Sequence, residues 1–335
     1  VGGLEYRQSH IQGDYLVGTD EYVEETAYPK VVEGGNHFYG TDVGLFLQAS
    51  YYPLKDLNLI AGGRVDHNSI RMNGGYGHVF NPKLAVIYSP SNFVFKGIYT
   101  EAFKDAGYWT KYGTTPGRLL SNPTLEPERV QNIEFTASWQ ANSNLYVDIS
   151  AYNSMYSNVI GTADVSYISD GDTIHTTQHQ ALGSIDIKGV MSRLNYKFHN
   201  YTFYLNYTFT LPYNTSEDEK VRVGDIASHQ VNGGVNVIYF DKLNVNLRGN
   251  WVGEKLTGSE TTIVNNPLDK IDPYIVLNGS VSYKFYNSFT LQLIGNNLLN
   301  TNYYHPGVRS ANGAYYASRI PQYERHFFLR LLFNF

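Results

Sequence analysis

Two histidines, His175 and His179, stand four residues apart, so on a strand both project from one face. There a pair of imidazoles could ligate a metal or act as an acid/base cluster, or be solvated loop residues. Asp164, Asp170 and Asp172 lie close by in sequence. Asp170-Gly171-Asp172 offers oxygen ligands for a hard cation, and it is equally the composition of a tight turn. Tyr108-Trp109-x-x-Tyr112 and Tyr315-Tyr316 present rings on which a flat ligand could stack, with Arg309 or Arg319 to receive an anionic group. The same rings could pack loop against loop. The chain has no cysteine, which removes thiolate nucleophiles and cysteine metal sites. No nucleophile motif, phosphate loop or helical HExxH is present either. The chemistry on offer is binding; no enzyme activity and no cofactor are expected.

The elements that must carry these residues are strands. Helical periodicity is nearly absent, and apolar and polar residues alternate with period two from end to end. In the segment 243–251, Leu243, Val245, Leu247 and Trp251 share one face while Asn244, Asn246, Arg248 and Asn250 share the other. Ile133, Phe135 and Trp139 against Glu134, Thr136 and Ser138 repeat the split. One face meets an apolar medium and the other a wet one. Runs of roughly 9 to 12 residues exceed the usual soluble strand and suit a tilted bilayer crossing.

The connections alternate as well. Tight turns fall near 53–56, 89–92, 141–144, 198–201, 241–242 and 287–288, and between them lie long polar loops at 70–77, 104–128, 160–181, 211–225 and 257–272. Two more long loops, 12–39 and 299–322, flank the set. Short turns at one end and long loops at the other are the habit of an outer-membrane barrel. Aromatics such as Tyr51, Tyr88, Tyr239 and Phe289 crowd the tight turns as an interfacial girdle does. The expectation is an all-β, transmembrane antiparallel barrel of about fourteen strands, located in the bacterial outer membrane.

Composition agrees. Only 16% of residues are charged against 15% aromatic, with 30 Tyr and 31 Gly. A net charge of −5 provides no basic field for a nucleic-acid backbone. The final stretch places Phe327, Leu329, Leu331, Phe333 and Phe335 on one face, and a terminal aromatic resembles the assembly signal of outer-membrane proteins.

Four segments together resemble the C-terminal barrel part of the TonB-dependent outer-membrane receptors. Ala61-Gly-Gly-Arg64-Val-Asp66 resembles the family's Gly-x-Arg-x-Asp strand. Tyr99-Thr-Glu-Ala-Phe103-Lys104 followed by Asn122-Pro-Thr-Leu-Glu-Pro-Glu128 resembles its paired boxes, with Lys104 in place of Arg and Ala106 in place of Pro. Asn296-Asn-Leu-Leu-Asn300 through Tyr304 resembles the penultimate strand, with Asn300 in place of Asp. The residue chemistry of the boxes suggests a strand–loop junction, Pro123 and Pro127 stopping the ladder and Glu128 binding backbone amides or Arg129.

The resemblance implies a 22-stranded barrel with a plug, of which residues 1–335 supply the C-terminal part without the plug or the first strands. It implies TonB-driven import of a scarce nutrient, such as a ferric siderophore or cobalamin. A passive porin or a barrel enzyme is the alternative. Haem receptors of the family it resembles usually carry a histidine between the two boxes, and 104–121 holds none, so the resemblance disfavours haem. The implied partners are the periplasmic TonB complex through the plug, outer-membrane lipid, a small-molecule or metal-chelate ligand and a possible surface lipoprotein.

Overall fold

The computed structural model describes residues 1–12, 37–70, 75–113, 119–122, 124–169, 171–216, 220–256, 270–286, 289–307 and 319–333. Five long strands come first: β1 (Gly2–Gln12), β2 (His37–Leu54), β3 (Leu57–Ile70), β4 (Gly77–Tyr88) and β5 (Phe93–Lys104). A five-residue helix, α1 (Tyr108–Tyr112), and a two-residue strand, β6 (Leu119–Leu120), lead to β7 (Glu128–Asn142), β8 (Leu145–Ser169), β9 (Asp172–Phe198) and β10 (Tyr201–Asn214). After the short β11 (Val221–Arg222) come β12 (His229–Tyr239) and β13 (Leu243–Val252), then the short pair β14 (Lys255–Leu256) and β15 (Lys270–Ile271). The series closes with β16 (Tyr274–Tyr286), β17 (Phe289–Asn296), the small β18 (Tyr304–Pro306) and β19 (Arg319–Pro321), and β20 (His326–Phe333).

Fourteen of these strands form one antiparallel sheet in chain order, β1-β2-β3-β4-β5-β7-β8-β9-β10-β12-β13-β16-β17-β20. That is the expected wall. Among the described residues β1 pairs only with β2 and β20 only with β17, so no ladder joins Tyr6 to Leu329 and the sheet stands open. No helix among the described residues is long and apolar enough to cross a membrane.

Alternation becomes two unlike surfaces. Leu45, Val65, Phe80, Leu84, Phe135, Ile149, Leu205 and Leu247 are exposed on the outer face, which lipid covers. The inner face carries cross-strand polar contacts: Thr136 Oγ1 lies 2.7 Å from Ser150 Oγ, Arg193 Nη2 2.8 Å from Asp148, and Asn232 bonds Asn250. Along each ladder neighbouring strands hold one another's backbone groups, because hydrocarbon offers no substitute partner.

The tight turns have local causes. Asn142 accepts hydrogen bonds from the N–H groups of Asn144 (2.8 Å) and Leu145 (3.0 Å), a side-chain turn that reverses the chain. Phe240 and Asp241 both take positive φ (51° and 53°) in the turn that the Lys242 N–H closes onto Tyr239 O (3.1 Å).

One expectation fails in form. The 160–181 stretch is no irregular loop: β8 runs for 25 residues and β9 for 27, and their ladder continues to Ser169↔Asp172. β-Branched Thr162, Thr173, Thr176 and Thr177 supply strand propensity without apolar character, so its polarity was misleading. A register shift between Tyr156 and Val159, with Asn158 at φ 57°, marks where the hairpin departs from the wall.

Candidate ligand site in the barrel lumen

Near the long-loop end the wall parts. β3 and β4 pair up to Asn68↔Gly77, and β5 and β7 pair up to Lys104↔Glu128, but the β4–β5 ladder ends at Lys83↔Thr100. The next residue on β4 is Pro82, which has no N–H to donate, so pairing stops where the sequence places the imino acid. The rings of Tyr76 and Phe103, 4.9 Å apart, bridge the gap above. Behind it lies a cavity of about 800 Å³ lined by β1 to β5 and by the start of the β5–β7 loop.

Its polar lining is a set of closed ion pairs. Arg64 Nε donates to both oxygens of Asp66 (2.7 and 2.9 Å), and its Nη2 donates to Glu5 (2.9 Å). Arg7 Nε donates to Asp42 at 3.1 Å, and Asn68 Nδ2 donates to the other Asp42 oxygen at 2.7 Å. Gly44 makes room: a Cβ there would run into the Arg64 guanidinium. Tyr76 feels the result, because burial first and then the charges of Asp42 and Asp66 push its hydroxyl up to about 12. Tyr108, on α1, lines the same cavity, and burial raises its pKa too.

The β5–β7 loop is pinned to the hairpin. Lys111 is buried, 1% exposed, with Nζ 2.6 Å from Asp105 Oδ1. Burial raises the Asp105 pKa against the opposing pull of Lys111. β6 runs parallel to β9 at Thr177 and Gln178, Gln178 Nε2 donates to Ser121 O (2.9 Å) and Asn122 Nδ2 to His179 O (2.8 Å). Leu120 and Leu125 are buried. At the bulge, Asn158 Nδ2 donates to Glu126 (2.9 Å), while Glu128 accepts the Ile160 N–H (3.2 Å) and pairs with Lys104 (3.4 Å). The 122–128 box is thus a junction between loop, hairpin and wall, and Glu128 takes a backbone amide rather than Arg129.

The residues singled out from sequence separate. Tyr108 reaches the cavity, and Trp109 beside it is exposed. Tyr112 ends α1. His175 (exposed) and His179 (half-buried) lie on one face of the hairpin, and among the described residues no three His, Asp or Glu gather to hold a metal. Asp172 is exposed at the hairpin tip beside Gly171 at φ 90°. Arg319 caps the Tyr304 ring at 4.0 Å in the small β18–β19 sheet. Asp170, Arg309, Tyr315, Tyr316 and Phe335 lie outside the described residues. Near that small sheet, Lys255 Nζ sits 5.3 Å from the Tyr274 ring centroid, and burial lowers its pKa. His305 is lowered by burial and then by Lys255.

The arrangement defines a membrane-embedded β-barrel wall with a chamber at its loop-bearing end. The chain belongs to the TonB dependent receptor-like, beta-barrel family, whose model matches residues 1–298, and its place is the bacterial outer membrane. Among solved structures it is similar to the siderophore receptor PirA from Acinetobacter baumannii (15% identity, TM-score 0.78), covering 100% of this chain and 52% of that one. It is likewise similar to a mutant of the ferric enterobactin receptor PfeA from Pseudomonas aeruginosa (16%, TM-score 0.78, covering 99% and 50%). The ferripyoverdine receptor of Pseudomonas aeruginosa, bound to ferripyoverdine, follows at 17% and TM-score 0.67, covering 89% and 39%. At such identities the likeness is one of fold. The chain spans about half the length of the first of these structures. No curated protein matches it. The family and the structural neighbours are receptors, not enzymes.

Proposed function

We propose that this chain forms the C-terminal part of a larger plugged barrel that captures a scarce nutrient, a ferric siderophore or a comparable chelate, and imports it with energy from the TonB complex. The observation that carries the reading is the 800 Å³ chamber at the loop-bearing end, with its ion-paired floor and the tyrosines Tyr76 and Tyr108 at its margin. Paired charges hold the chamber's shape, and the rings offer the flat surfaces a chelate can lie against. Trp109 extends that surface outward. Supporting the larger barrel is the cost of the two open edges: each unpaired backbone group in hydrocarbon costs several kcal/mol, so further strands must cover β1 and β20.

The test is uptake in cells making the full-length protein. Radiolabelled ferric siderophores accumulate in iron-starved cells with TonB and fail to accumulate without it, and Arg64→Ala lowers saturable binding at the surface. Uptake that survives loss of TonB, or steady ion conduction by the reconstituted protein, sinks this reading in favour of a passive pore.

A further inference from the structure

The lumenal face of β7 and β8 carries polar pairs as it climbs toward the long loops. Thr136 meets Ser150, and four residues further along Ser154 Oγ donates to Asn132 Oδ1 at 2.7 Å. One step beyond, the same face turns apolar. Ala102, Val130, Tyr156 and Ile185 are direct cross-strand neighbours in a single row over β5, β7, β8 and β9. All four lie on the side that holds Thr136 and Ser150, because an even number of residues separates them along each strand. Ile187 stands opposite Ser154 just below the row, and the register shift between Tyr156 and Val159 brings Val159 in from above.

These side chains enclose a cleft of about 370 Å³, within the range of about 300–1,000 Å³ that small-ligand pockets occupy. Lys104, Glu128 and Arg129 stand at its margin, and the first two pair with each other at 3.4 Å. Tyr156 is exposed, and Val130, Ile185 and Ile187 are half-buried. A barrel interior is polar as a rule, and uncovered apolar surface inside it marks a binding site. The position of the cleft says what it receives. Ala102 and Phe103 line both the cleft and the 800 Å³ chamber, so the two are continuous. A ligand whose polar part sits among the chamber's ion pairs reaches the cleft past Ala102 without crossing open water.

We infer that the captured chelate is an amphiphile, an iron-binding head joined to a hydrocarbon tail, and that the Val130, Tyr156, Ile185 and Ile187 cleft holds the tail. This rests on the import reading and narrows it to one class of ligand. The chamber takes the head and the cleft takes the tail, which removes from water both the tail and the apolar row that waits for it.

The experiment uses the full-length protein in nanodiscs and two families of probe, a ferric tris-hydroxamate and a ferric tris-catecholate. Each carries an acetyl, butanoyl, hexanoyl or octanoyl group on a terminal amine, and saturable binding is measured after subtracting that to empty nanodiscs. On the head that binds, every two added methylenes tighten binding about tenfold, from about 0.8 kcal/mol per buried methylene at 1.4 kcal/mol per decade. Ile185→Thr/Ile187→Thr keeps β-branched residues on the strand, adds hydroxyls to the cleft and flattens that gain. Gel mobility with and without heating confirms that the double variant is folded; if it is not, the chain-length dependence of the wild type alone decides. Equal affinity along the series, or an undiminished gain in the folded double variant, overturns the inference and leaves the import reading standing. Failure of every probe to bind on either head overturns both.

Discussion

Lys111→Met tests how the β5–β7 loop is held over the chamber. Methionine keeps the linear side chain and its packing but removes the cation, leaving the Asp105 carboxylate without the partner that stood 2.6 Å away. Removing one member of a buried ion pair costs about 3–5 kcal/mol. Asp105 keeps 26% of its side chain exposed, so water relieves part of that and about 3 kcal/mol is expected. At 1.4 kcal/mol per decade this raises the opening constant of the loop about 100-fold. The readout is hydrogen exchange in nanodiscs at the N–H groups of Lys111, Gly113 and Asn122, which bond to Gly107 O, Trp109 O and Lys111 O at 3.1, 2.8 and 2.7 Å. Mildly alkaline pH keeps Asp105 ionised. Adding Asp105→Asn removes the orphan charge and restores most of the protection. Equal exchange in the single and double variants refutes the reasoning, because the loop would then be held by packing alone.

Glu128→Ala frees the Ile160 N–H and costs about 1–3 kcal/mol locally; exchange at Ile160 accelerates while that in β12 and β13 does not. Gly189→Ala brings a methyl into Phe209 O and the Tyr152 ring, costs about 1–3 kcal/mol by overpacking and lowers the folded yield on refolding, read by the gel shift on heating. The folded pKa of His305 lies below the unfolded value of 6.5, so its stabilising contribution is present above that value and is lost as pH falls through it toward the folded pKa. Protection of the Gln322 N–H, bonded to Tyr303 O at 3.0 Å, therefore declines on acidification below 6.5 after correction for intrinsic rates, and His305→Gln abolishes the decline.

The wall was legible because lipid on one side and water on the other force period two, and turn chemistry such as that at Asn142 punctuates it. The hairpin above the bulge was not, since its Thr-, His- and Gln-rich alternation has no apolar face to betray a strand. The cavity was half legible. Arg64 and Asp66, two residues apart, had to share a face, but Glu5 reaches Arg64 only because β2 lies between β1 and β3 in register. No local pattern places residues 59 apart, such as Glu5 and Arg64, in contact. Of the residues chosen from aromatic runs, Tyr108 lines the cavity, and loop aromatics pack as readily as they bind. Arg319 went to a tyrosine ring of its own sheet.

Pro82 works like the stop on a zipper, because the seam between two wall strands opens from that point toward the cell exterior. The depth of the chamber is then a matter of bookkeeping along one strand. Shifting the imino acid by two positions, the smallest step that keeps the same face outward, moves the stop by about 6.6 Å along the seam. Relatives of this barrel could thus deepen or shallow their vestibules without rebuilding a loop, and a chamber's reach could be read from where a single proline falls.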